Sequence, residues 1–209
     1  MVDKRALHGL YVLTDAFLTP RETVLKQIER VLKSGVRIIQ FRDKYATDEA
    51  LETTCHALQQ LCDRYGAIFI INDRLELALK INADGLHVGE DDASYEEARK
   101  RLGAEKIIGV SCYDDLQRAQ KYALLGADYV AFGACFPSPT KPSAKVIDLA
   151  ILKEAKKRLN VPICVIGGIT QTTIKTLLPY GVDIYSLISA VYENDAIEDN
   201  INQLKKAIQ

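Results

Sequence analysis

The sequence is short of most features that mark a specialised class of protein. It has no surplus of either charge: 27 lysines and arginines face 28 aspartates and glutamates, a formal net charge of −1. A protein that tracks the phosphates of a nucleic acid, or lies on an anionic membrane, needs a basic excess, so neither is expected as a partner. No segment approaches the roughly 20 apolar residues that span a bilayer. Met1-Val2-Asp3-Lys4-Arg5 is followed by no apolar signal core, and a cytoplasmic setting is expected. The five cysteines, Cys55, Cys62, Cys112, Cys135 and Cys164, are scattered, odd in number and without a C-x-x-C pair. That excludes a disulfide framework and predicts reduced, mostly buried thiols. Only three histidines occur, His8, His56 and His87, and they share no ligand spacing, which argues against zinc. No run rich in proline and glycine divides the chain, so residues 1–209, with 48% hydrophobic content, are expected to form a single compact domain.

What is present is a repeated alternation of short β-branched runs with amphipathic stretches, the pattern of a parallel sheet with crossover helices. Strands are expected at 9–14, 36–41, 67–72, 84–88, 107–111, 128–133, 161–166 and 183–187, and helices at 21–33, 48–65, 94–102, 116–125, 149–159, 172–180 and 197–208. Thr47, Ser94, Asp114 and Thr170 are placed to cap helix starts, and Gly35, Gly66, Asn82, Gly126 and Gly181 to end helices in a left-handed residue. A weak repeat aligns the segments beginning at Gly35, Asn82, Gly126 and Gly181 without gaps, on the second, fourth, sixth and eighth strands. Each is a helix stop, a small linker, a polar residue and a buried strand. A period of two βα units suits a closed (βα)8 barrel, the TIM-barrel form of the α/β class, whose interior layers draw on alternate strands. At 209 residues each unit has about 26, near the lower end for this architecture. An open Rossmann-like sheet is the rival, but no G-x-G-x-x-G follows the first strand.

In such barrels chemistry sits at the C-terminal ends of the strands. After strand 2, alternation sends Gln40, Arg42 and Lys44 to one side, although a solvated loop with Asp43 as partner would use the same residues. Strand 3 ends in Asn72-Asp73-Arg74, which suits either a site or the cap of the next helix. Strand 4 ends in His87-Val88-Gly89 and three acids, Glu90, Asp91 and Asp92. Asp73 and one of these acids have the chemistry to hold magnesium together with substrate phosphate oxygens. His87, inside a strand, is expected to be packed and hydrogen-bonded rather than a ligand. After strand 6, residues 133–145 carry hydroxyls, two lysines and three prolines, as in a flap that closes on an anion. Gly167-Gly168 after strand 7 and Ile188-Ser189 after strand 8 suit a phosphomonoester held by backbone N–H groups. Two anion sites in one mouth call for a phosphomonoester and a second substrate bearing a diphosphate, hence displacement of pyrophosphate.

These residues resemble the thiamine phosphate synthase family over nearly the whole chain. The matching segments include Tyr11-Val12-Leu13-Thr14-Asp15, Gln40-x-Arg42-x-Lys44, Asn72-Asp73-Arg74, Gly109-Val110-Ser111, Phe136-Pro137-Ser138-x-Thr140-Lys141, Ile166-Gly167-Gly168-Ile169 and Ile188-Ser189-Ala190. The resemblance implies a transferase of thiamine biosynthesis that joins a pyrimidine diphosphate to a thiazole phosphate with magnesium. It implies Gln40, Arg42, Lys44, Asn72, Ser111 and Lys141 on the pyrimidine diphosphate, with Arg42, Lys44 and Lys141 as the catalytic cations. It places Asp73 and Asp92 on the metal, and Ser138, Thr140, Gly168, Ile188 and Ser189 on the thiazole phosphate. The chain departs from the family where Ser111-Cys112-Tyr113 stands for a frequent Ser-x-His, and where no Pro-x-Gly follows Lys141. Ser138 stands for a frequent threonine and Ala134 for a frequent proline. A thiazole tautomerase-like barrel, a non-catalytic thiazole phosphate sensor and a sugar-phosphate isomerase are the alternatives. The expected partners are small-molecule substrates, and the residues set no oligomeric state.

Overall fold

The computed structural model describes residues 6–90, 92–138 and 143–209. Eight parallel strands close into a barrel in sequence order, β1 (Gly9–Leu13), β2 (Ile38–Phe41), β3 (Ile68–Asn72), β4 (Gly85–Val88), β5 (Ile107–Tyr113), β6 (Tyr129–Gly133), β7 (Ile163–Ile166) and β8 (Ile184–Leu187), with β8 pairing back onto β1. The outer ring comprises α1 (Val24–Lys33), α2 (Asp48–Arg64), α3 (Leu75–Lys80), α4 (Tyr95–Leu102), α5 (Leu116–Leu124), α6 (Ala150–Arg158), α7 (Ser189–Tyr192) and α8 (Ile197–Ala207). Among the described residues no helix is long and apolar enough to cross a membrane. All five cysteines are free and buried.

The expected punctuation holds at most positions. Gly35, Gly66, Asn82, Gly126 and Gly181 all have positive φ. Thr47 and Ser94 accept the N–H groups of Ala50 and Glu97 at the starts of α2 and α4. Asp114 does not cap α5. A register shift between Ser111 and Tyr113 lengthens β5, so the cap falls to Asp115, which accepts the Arg118 N–H at 2.9 Å. The six-residue α3 lies outside the predicted helices, because so short a segment shows too little periodicity. Thr173–Tyr180 is a 3₁₀ helix and not an α-helix. Pro179 lacks a donor, and the hydroxyls of Thr173 and Thr176 bond to the Gly168 and Thr173 carbonyls, in competition with a regular ladder.

The repeat has a physical basis in three of its four copies. Its aspartates at the starts of β4, β6 and β8 accept backbone N–H groups from the preceding odd strand: Asp84 from Phe69, Asp128 from Ile108 and Asp183 from Ile163, at 2.8–2.9 Å. The helix leading into each odd strand supplies a second donor, Gln59 of α2 to Asp84, Arg99 of α4 to Asp128 and Lys156 of α6 to Asp183. Inside the barrel, Tyr11, Ile38, Ile70, Ile107, Tyr129 and Cys164 form one core, and a second, larger core fills the space between barrel and helices.

Removing the Asp128 carboxylate takes the partner from the Ile108 N–H and leaves Arg99 without its ion pair, so Asp128→Ala should lower unfolding stability by about 2–4 kcal/mol. Asp183→Ala should cost less, because the Asp183 side chain is 30% exposed against 9% for Asp128. Urea denaturation of the two variants checks the order.

Candidate functional site

The C-terminal ends of the strands open into a cavity of about 470 Å³. Alternation places Gln40, Arg42 and Lys44 on its wall, as expected from the sequence. Asp43 is not their partner: its carboxylate accepts the N–H groups of Tyr45 and Ala46 in a local turn. Arg42 instead faces Asp15 at 3.8 Å, and Lys44 lies 3.0 Å from Asp73. The loop that carries both cations is held by Arg74, whose guanidinium donates to the carbonyls of Asp43 and Ala46 and to the Asp48 carboxylate at 2.6–3.0 Å. Asn72 and Asp73 also line the cavity and do not cap α3, whose N-cap residue is Arg74.

Asp73 sits at φ 63°, a left-handed conformation in which aspartate is one of the few tolerated residues, and its N–H donates to the His87 carbonyl. Asp92 is brought to it from the β4 loop, where its carboxylate accepts the Gly89 N–H at 2.7 Å. Burial pushes the Asp92 carboxyl above its ordinary range, and the adjoining Asp73 carboxyl, within hydrogen-bonding reach, pushes it further. Two carboxyl groups thus share one place with the Lys44 ammonium group, an arrangement that suits a hard divalent cation with oxygen ligands. Among the described residues no third His, Cys, Asp or Glu joins them, so such an ion would complete its shell from water or substrate. Asp91 lies outside the described residues.

Ser111, Ser138 and Ile188 complete the predicted residues found on the cavity wall. Gly168 and Ser189 do not line it; each sits one residue beyond a wall residue, Gly167 and Ile188. The glycine pair has a packing reason. Both residues have positive φ, and a Cβ would come within 2.5 Å of Ala134 at Gly167 and 2.4 Å of the Pro137 carbonyl at Gly168. The start of the β6 loop runs against them through Cys135 N–H to Ile166 O and Phe136 N–H to Gly167 O. That loop is closed at its base, with the Ile147 N–H donating to Ala134 O, and its Lys145 reaches Asp114 at 2.6 Å across the mouth. Thr140 and Lys141 lie outside the described residues.

Several wall and floor residues had no assigned role. Tyr11, His87 and Ser186 lie on the floor, and Tyr113, at the position of the family's frequent histidine, lies on the wall. Strand alternation from Leu13 on β1 and from Ala131 on β6 would have pointed Tyr11 and Tyr129 inward, but nothing local shows that their hydroxyls meet. His87 is hydrogen-bonded on both nitrogens, to the Tyr129 hydroxyl at 2.8 Å and the Ser111 hydroxyl at 2.9 Å. Burial pulls its pKa down to about 4, so the ring is neutral at physiological pH.

The fold and the site together define a (βα)8 barrel with two cations and a carboxylate pair gathered at its C-terminal mouth. The profile of the thiamine monophosphate synthase family matches residues 10–191. The chain is 42% identical over 186 residues to a thiamine-phosphate synthase of Thioalkalivibrio sulfidiphilus, covering 89% of this chain and 88% of the relative. It is 41% identical over 206 residues to one of Alcanivorax borkumensis, covering 97% and 95%. The solved thiamine phosphate pyrophosphorylase of Pyrococcus furiosus superposes with a TM-score of 0.87 at 32% identity, covering 98% of this chain and 96% of that one. The chain belongs to the thiamine monophosphate synthase family.

Because four charge-assisted bonds converge on Arg74, Arg74→Ala should lower stability by about 2–3 kcal/mol and lower activity by freeing the loop of Arg42 and Lys44. Arg74→Lys should restore little, since one ammonium cannot reproduce the fork. Thermal melts alongside steady-state kinetics check both.

Proposed function

We propose that the chain couples 4-amino-2-methyl-5-hydroxymethylpyrimidine diphosphate to 4-methyl-5-(2-hydroxyethyl)thiazole phosphate, giving thiamine phosphate and pyrophosphate. The observation that carries this reading is the meeting of Arg42, Lys44, Asp73 and Asp92 in one cavity that also holds Gln40, Asn72 and Ser111. On this reading residues 1–209 act as one catalytic domain on small-molecule substrates, in the cytoplasm, where unpaired thiols stay reduced.

The aminopyrimidine ring donates electrons to its exocyclic methylene, so the methylene C–O bond can break with the electron pair leaving on pyrophosphate. The thiazole nitrogen then supplies its lone pair to form the new C–N bond. Arg42, Lys44 and Lys141 stabilise the charge that develops on the leaving group. Gln40, Asn72 and Ser111 orient the pyrimidine, and Ser138, Thr140, Gly168, Ile188 and Ser189 hold the thiazole phosphate, so that the two reacting atoms are neighbours and water is kept out. Asp73 and Asp92 would hold magnesium, which when bound supplies Lewis-acid neutralisation of phosphate oxygens. No protein nucleophile is needed, and burial pushes the thiols of Cys112, Cys135 and Cys164 up to about 12, which makes them poor ones.

The tautomerase-like and sensor alternatives have no use for the diphosphate cations and the carboxylate pair, and the relatives above carry the synthase name. Pyrophosphate release should require both substrates and magnesium. Release without the thiazole phosphate would mean hydrolysis, and no release would sink the proposal. Asp73→Asn, which keeps a residue tolerant of positive φ, and Lys141→Ala should each cut turnover by about 10²-fold or more with little change in melting temperature. Wild-type rates in both would overturn the site.

A further inference from the structure

Five polar side chains form a continuous chain across the barrel floor beneath the cavity. Gln40 Nε2 donates to the Tyr11 hydroxyl at 2.7 Å, Tyr11 meets Tyr129 hydroxyl to hydroxyl at 3.0 Å, and the Tyr129 hydroxyl lies 2.8 Å from His87 Nδ1. His87 Nε2 lies 2.9 Å from the Ser111 hydroxyl. Both tyrosines are at most 1% exposed. β5 makes room for this arrangement: a Cβ on Gly109 would fall 1.9 Å from the Tyr129 ring. The two ends, Gln40 and Ser111, are cavity residues, whereas Tyr129 has no surface there.

Hydrogen-bond bookkeeping gives the chain a direction. An amide nitrogen only donates, so the Tyr11 oxygen accepts and its proton points to Tyr129. Tyr129 therefore accepts from Tyr11 and gives its own proton to His87 Nδ1. In a neutral imidazole with Nδ1 accepting, the ring proton is on Nε2 and goes to Ser111. The Ser111 oxygen is thereby occupied as an acceptor, and its O–H is left for the cavity. At the other end, Gln40 has spent a nitrogen donor on Tyr11 and keeps its carbonyl oxygen.

We propose that Tyr11, Tyr129 and His87 are positioning residues that hold opposite polarities at Gln40 and Ser111, so that the floor offers one acceptor and one donor to an aminopyrimidine. The amino group supplies the N–H for Gln40, and a ring nitrogen the lone pair for Ser111. This rests on the substrate reading above. A pyrimidine lacking the amino group leaves the Gln40 oxygen unmatched, and the discrimination depends on Tyr129, which has no surface in the cavity.

The direction is tested on the full-length protein by imidazole ¹⁵N NMR. His87 should be neutral with its proton on Nε2; a proton on Nδ1 overturns the proposal. This result does not depend on the substrate reading. The coupling to substrate is tested by competitive inhibition with 4-amino-5-hydroxymethyl-2-methylpyrimidine and with the same compound lacking the amino group. The wild type should favour the amino compound by about tenfold, roughly one hydrogen bond. Tyr129→Phe should reduce that preference to within about threefold, with the KM for thiazole phosphate unchanged within about twofold. Tyr11→Phe breaks the chain one link earlier and should do the same if Tyr129→Phe folds poorly. A preserved preference in a folded variant, or equal weakening of both inhibitors, would overturn the relay. If the wild type itself shows no preference, or releases no pyrophosphate with both substrates, the substrate reading fails while the NMR result stands.

Discussion

Three carboxylates at the N-terminal ends of the even strands hold the register of three strand pairs that carry site residues at the open end. A one-residue slip of a strand turns every inward side chain outward. Asp84, Asp128 and Asp183 bind a backbone N–H of the neighbouring odd strand and so fix β3 against β4, β5 against β6 and β7 against β8. With those pairings set, Asn72, His87, Ser111 and Ser186 face the same interior, and Asp73 and Asp92 meet at the rim. The second donor to each carboxylate comes from the preceding even-numbered helix, which couples helix placement to strand register by the same side chain.

At the open end the governing constraint is charge. The chain as a whole is nearly neutral, yet its mouth concentrates Arg42 and Lys44 against Asp15, Asp73 and Asp92. Such groups hold their places only where the backbone is fixed, and the fixing is done by residues with no chemical part. Arg74 ties down the β2 loop, and the Gly89 N–H holds Asp92. The glycines after β7 let the β6 loop lie directly on the strand end.

Much of this was legible in the residues. The strands agree with the alternating pattern to within about two residues, because each β-branched run is bounded by a glycine, asparagine or polar stop. Gln40, Arg42 and Lys44 share a wall because period-two alternation leaves no other choice. The misplaced cap at Asp114 came from a bulge in β5, a pairing irregularity that depends on β6 and leaves no local trace. Helix α3 was too short to show a period, and the threonine-rich segment after β7 took a 3₁₀ form through hydroxyl bonds that depend on rotamers. The pairing of Lys145 with Asp114 joins two loops 31 residues apart, and no motif records it.

The alternation of strands and helices, the closure of eight units into a barrel, the family and the residue types at the strand ends can all be read from the residues alone. These follow from local periodicity, turn chemistry and motif order. Which groups touch emerges only in the folded chain: Asp73 and Asp92 share one place, Arg74 is a clamp, the paired glycines serve loop packing, and Gln40 and Ser111 are joined through Tyr11, Tyr129 and His87. The reason is distance along the chain. Tyr11 and Tyr129 are 118 residues apart, and a hydroxyl that bonds across a barrel interior has no signature in the residues beside it.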